Sequence, residues 1–197
     1  MALLSCLVLA YVALVLLPLW LAVGFGPVSA GNVVYEFGRS LALTAFPIVA
    51  LQPLSGARIS WIDRSAGKGN SLRFHKAMGV SALVALLLHP VCLAGGGAGW
   101  RLLTSWDFPW FIVVGKAALI LLAAHVLLAL FRSAIGFGFK RWRHAHLATA
   151  PLILIGGIVH SWYAGDDLRY SGLQAYWIAV IVLAAAVWFH RRLGRTV

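Results

Sequence analysis

Apolar residues fill this chain in six long runs, and polar residues gather between them. The runs cover about residues 2–25, 35–54, 74–93, 109–131, 144–163 and 172–189. Each is long enough to cross a bilayer as a helix. The predicted fold is therefore all-α: a bundle of six transmembrane helices in one domain spanning residues 1–197. Val28-Ser29-Ala30 resembles a small-residue cleavage site after the first run. That run lacks a basic leader and is longer than a signal-peptide core, so it reads as a retained span.

Composition agrees with this pattern. The sequence is 62% hydrophobic and only 11% charged, against about 25% charged in a soluble domain. The net charge of +11 would suggest nucleic acid in a soluble protein. Here it reports topology instead, and no nucleic-acid partner is expected. The connections after the second and fourth spans, with the C-terminal tail, hold twelve of the sixteen basic residues. The other side holds Glu36, Asp107, Asp166 and Asp167, four of the five acids. Positive charge marks the cytoplasmic side. Both termini are thus expected in the cytoplasm, with the chain in a bacterial inner (plasma) membrane. Trp100, Trp106, Trp110, Trp162 and Trp177 read as an aromatic belt at the outer interface. Cys6 and Cys92 form no motif.

Histidine placement adds chemistry. His75 and His89 stand fourteen residues apart at the two ends of the third span, and His146 and His160 repeat that spacing in the fifth. At about 100° per residue, fourteen residues fall about 40° short of four turns and rise about 21 Å. Each pair therefore shares one helix face. His144 is sixteen residues from His160 and about 160° away from it on the helix, so His146 is the ligand candidate. An imidazole inside a membrane span usually faces the bundle interior with a partner. Two such helices side by side offer a pair of imidazoles near each membrane face, the arrangement for two stacked haems. Gly79, Ala82, Ala85, Ala150, Gly156 and Gly157 lie on or near the same faces. They would admit a flat macrocycle, or serve ordinary helix packing. Arg39 is a candidate contact to a haem propionate, a partner for Glu36, or a snorkelling residue. Arg73, Lys76 and Arg143 are candidates at the opposite face. His125 reads as a packing or hydrogen-bonding histidine, His190 as interfacial, and Lys116 as snorkelling or lining a cavity.

Two axial histidines leave a haem iron no open position, so it carries electrons. No GxGxxG follows a strand, so electrons are expected from another protein or domain. A histidine-lined proton or metal transporter is the competing reading from another class.

These residues resemble the ferric reductase-like transmembrane domain family, which includes ferric reductases, NADPH oxidases and the haem-binding membrane subunit of the periplasmic methionine sulfoxide reductase system. The resemblance rests on Gly38-Arg39, Leu51-Gln52-Pro53-Leu54 through Ala57-Arg58, His75-Lys76-Ala77-Met78-Gly79 to His89-Pro90, and Trp142-Arg143-His144-Ala145-His146 to His160. It implies two haem b groups in a six-helix bundle. His75 and His146 would hold the inner iron, His89 and His160 the outer, with Arg39 near the outer haem. It further implies a cytoplasmic flavin reductase or quinol as donor. The acceptor at the outer face would be ferric iron, oxygen or a periplasmic reductase. The flavin- and nicotinamide-binding domain that follows the sixth span in many members is not seen after residue 189, so flavin is expected through a partner or through a domain outside this sequence.

Overall fold

In lipid a backbone must satisfy its own N–H and C=O groups, and a continuous apolar run does so by coiling into a helix. The computed structural model describes residues 2–26, 32–56, 60–67 and 69–193. Among these residues the chain is helical and contains no strand. The helices are α1 (Ala2–Phe25), α2 (Val33–Ala50), α3 (Gln52–Gly56), α4 (Ser60–Ala66), α5 (Asn70–Leu93), α6 (Arg101–Thr104), α7 (Trp110–Phe131), α8 (Phe139–Ala164) and α9 (Ser171–Leu193). Six of the described helical stretches are long and apolar enough to cross a membrane. The protein is an integral membrane, all-α bundle. Val28-Ser29-Ala30, Ala57-Arg58, Lys68 and Arg195 lie outside the described residues.

Three boundaries differ from the sequence reading. The second span breaks at Leu51, where Pro53 cannot donate a backbone hydrogen bond, and resumes as the short α3. The third begins at Asn70 and runs on through a π turn, Ala94–Ala98, that Gly97 ends with φ at +121°. The fifth begins at Phe139 rather than at residue 144, because Lys140, Arg141 and Arg143 occupy an exposed first turn. The polar connection 55–73 also contains α4.

The two most extensive helix pairs are α2 with α5 and α7 with α8. α1 and α9 pack on the other side of α2. One core joins Leu43, Phe46 and Ala50 of α2 to Leu173, Tyr176, Trp177 and Val180 of α9. A second joins Leu83 of α5, Leu122 and Val126 of α7 and Ile153 of α8. Ile153 stands midway between His146 and His160, seven residues from each. This apolar layer therefore separates the two histidine ends. Among the described residues α5 and α8 share no extended contact of their own. Their backbones stand farther apart than those of either extensive pair, with Leu83 and Ile153 in one core between them.

Trp177 does not join an interfacial belt. It is 2% exposed, stacked on Phe46 with ring centres 4.8 Å apart and planes 8° apart. Its indole N–H donates to Ser161 Oγ at 3.0 Å. That bond lets an indole enter an apolar core without an orphaned donor. Trp100, Trp106, Trp110 and Trp162 are exposed, as a belt requires. Replacing Trp177 by Ala should cost about 3–5 kcal/mol of stability. Replacing it by Phe should cost about 1 kcal/mol, the size of one hydrogen bond. Denaturant unfolding of the detergent-solubilised protein checks both.

Candidate functional site

At the end of the bundle that carries Glu36, Asp166 and Asp167, two histidines are held by backbone. His89 Nδ1 lies 2.9 Å from the Gly38 carbonyl of α2. His160 Nδ1 lies 3.0 Å from the Phe111 carbonyl of α7. A carbonyl oxygen only accepts, so Nδ1 carries the proton on each ring. In the neutral imidazole, Nε2 then keeps its lone pair. A ring nitrogen fixed from behind in this way is the usual condition of a metal-binding histidine.

Glycines make both bonds geometrically attainable. A Cβ on Gly38 would stand 2.8 Å from Cys92 Cβ and 3.1 Å from the His89 carbonyl. α2 could not then approach α5 closely enough for its carbonyl to reach His89. A Cβ on Gly115 would fall on the His160 ring itself, against Nδ1, Cγ and Cε1. The His160 ring thus occupies the space that Gly115 leaves open.

At the basic end, the His75 and His146 rings meet edge-on, with ring centres 6.1 Å apart and planes at 66°. Two imidazoles bound to one metal ion at about 2 Å each, with ring centres about 1.1 Å behind the nitrogens, come to about 6 Å. The spacing fits one ion between them. The hold from behind is different here. Ser55 Oγ of α3 lies 3.2 Å from His75 Nδ1, and the Gln52 side chain lies against the same nitrogen. Gly56 passes so close that a Cβ would sit 3.2 Å from His75 Nδ1. His146 Nδ1 is buried without a hydrogen-bond partner among the described residues. Its ring lies between Trp142, 5.1 Å away, and His125, 4.3 Å away.

His125 is fixed in turn by Thr149. The Thr149 hydroxyl donates to the Ala145 carbonyl at 2.9 Å. With its one proton committed there, it accepts from His125 Nδ1, 2.7 Å away. His125 is therefore a hydrogen-bonded histidine that also packs on His146. His144 is exposed, whereas His146 is half-buried. Among the described residues, no group of three or more His, Cys, Asp or Glu is placed to hold a bare metal ion.

Other candidates separate. Arg39 donates from Nε to Asp167 Oδ2 at 2.7 Å and from Nη2 to Asp167 Oδ1, while Nη1 donates to Glu36. The guanidinium is thus engaged by carboxylates of the chain. Lys116 snorkels: Nζ donates to the Ser105 carbonyl and lies 4.8 Å from the Phe108 ring centre. Among the small residues, Gly156 meets Ala118 and Gly157 meets Phe46, which is helix packing. Gly79, one turn from His75, has open space where a Cβ would stand. His190 is exposed.

Sequence reasoning passed over Gly115, Gly56, Ser55 and Thr149. Gln52 appeared only within a motif, without a role. The repeated histidine spacing carries no trace of them, because each belongs to a different helix from the ring it touches.

A family model described as Ferric reductase like transmembrane component matches residues 39–157. No curated protein and no solved structure matches the chain. The match begins at Arg39 and contains His75, His89 and His146, stopping three residues before His160. It covers more than half of the chain. This is a transmembrane electron-transfer module, and the chain belongs to the ferric reductase-like transmembrane component family.

Proposed function

We propose that the chain is a di-haem b-type cytochrome that passes electrons across the membrane. His75 and His146 would hold one haem iron at the basic end, and His89 and His160 a second at the acidic end. The observation that carries this reading is the 6.1 Å separation of the His75 and His146 rings, which brings together residues from α5 and α8. The oriented Nδ1–H groups of His89 and His160 support the same role at the other end.

When bound between two imidazoles, a haem supplies one-electron transfer and leaves no open coordination position. The chain's residues supply the rest. Gly38 and Phe111 carbonyls orient the acidic-end rings, and Ser55 and Gln52 brace His75. The histidine faces of α5 and α8, with open space beside Gly79, would receive a flat group. The Leu83–Ile153 layer keeps the two sites apart and dry. Arg73, Lys76 and Arg143 supply cations for propionates at the basic end.

The positive charge at the basic end supports a cytoplasmic position for it. A flavin protein or quinol there would donate, and ferric iron, oxygen or a periplasmic reductase would accept at the outer face. Service as the haem-binding membrane subunit of a periplasmic reductase differs only in the acceptor, and co-purification of a soluble partner would distinguish it.

Purified protein should contain two haems per chain and show a b-type reduced-minus-oxidised spectrum. His75→Ala and His89→Ala should each remove one haem, read as a halved haem-to-protein ratio. A wild type without a Soret band, or unchanged spectra in both variants, would sink the reading and favour a transporter.

Gly115→Ala should displace the His160 ring and cost about 10- to 100-fold in haem affinity at the acidic end, as disturbing a ligand's support usually does. Gly79→Ala, by contrast, meets no protein atom and should leave the acidic-end haem bound. Haem titration of the two apoproteins compares them.

A further inference from the structure

We propose that the Arg39–Asp167 ion pair positions the acidic-end histidine pair and makes no contact with a haem propionate or an anionic substrate. This rests on the di-haem reading. Arg39 follows Gly38, the residue whose carbonyl takes the His89 Nδ1–H. Asp167 lies seven residues beyond His160, in the turn that directly follows α8. The pair therefore ties the segment that orients one imidazole to the segment that carries the other. The tie is long-range: 128 residues separate the two partners.

The form of the pair suits positioning. Two N–H groups, from Nε and Nη2, meet the two oxygens of one carboxylate. A fork of this kind fixes orientation as well as distance, which a single ammonium cannot do. Both partners are withdrawn from water, with side-chain exposures of 20% for Arg39 and 7% for Asp167. The Asp167 turn is itself anchored, since the neighbouring Leu168 is 5% exposed within the α2–α9 core.

Charge argues against a further anion. Glu36 takes the third guanidinium nitrogen, so one cation already faces two carboxylates. A propionate would be a third, and like charges in a low-dielectric site repel strongly. Glu36 Oε1, buried without a hydrogen-bond partner among the described residues, adds to the negative potential a propionate would meet.

The test uses the full-length protein with its haems bound. Its variants are Asp167→Asn, Arg39→Lys and the exchanged pair Arg39→Asp with Asp167→Arg. Readouts are haem occupancy at each end and the low-spin EPR signal, which reports the angle between axial imidazole planes. His89→Ala identifies which signal belongs to the acidic end. Asp167→Asn and Arg39→Lys should each shift the acidic-end signal and lower its haem affinity about 10- to 100-fold. The basic-end signal should stay unchanged, and the exchanged pair should recover most of the loss. Three results would overturn the proposal. In the first, Asp167→Asn is silent while Arg39→Lys removes the acidic-end haem, so the arginine acts on the bound group. In the second, both haems are lost together without rescue, so the pair only holds the fold. In the third, the wild type has no Soret band, and the di-haem reading falls first.

Discussion

An imidazole inside a lipid-embedded bundle has two nitrogens to satisfy and no water to satisfy them with. Much of this architecture follows from that constraint. Carbonyls of α2 and α7 take the Nδ1–H groups of His89 and His160. α2 must therefore lie against α5, and α7 against α8, and these are the two most extensive helix pairs. Gly38 and Gly115 are the points where such approach would otherwise be blocked by a side chain. The second nitrogen of each ring is left to whatever occupies the space between α5 and α8. Helix pairing and ligand orientation are thus one problem with one solution.

The two ends solve it with different materials. Main-chain carbonyls, already fixed by helix geometry, orient the acidic-end rings. Side chains hold the basic end: Ser55 and Gln52 beside His75, and the rings of Trp142 and His125 on either side of His146. Side chains bring their own rotamer freedom, so the basic-end rings have more room to adjust. Two of these side chains, Ser55 and Gln52, come from the short α3, which exists because the second span breaks near Pro53.

The helices and the histidine register were legible in the sequence because both depend on local periodicity. Hydropathy located six spans to within a few residues. Angular arithmetic separated His146 from His144, and the structure places His144 at the surface. What escaped depends on contacts between distant segments. Trp177 read as an interfacial residue because its acceptor, Ser161, sits on another helix. Arg39 read as a cation waiting for a propionate or for Glu36. The partner that takes two of its N–H groups, Asp167, lies in a turn that periodicity cannot orient. Gly115 looked like any small residue in an apolar run until the His160 ring was seen to fill its empty side.

The spacing of the histidines along each helix also has an electrical meaning. Fourteen residues rise about 21 Å, roughly two-thirds of a hydrocarbon core about 30 Å thick. An electron moved from one histidine end to the other would cross a similar share of the membrane voltage. At about 2.3 kcal/mol per charge per 100 mV for the full field, that share is about 1.6 kcal/mol. Were the basic end cytoplasmic, as proposed, a negative interior would drive the electron outward. The proposed transfer is then electrogenic: each electron exported draws down the membrane potential, and the rate of reduction outside depends on how strongly the membrane is energised.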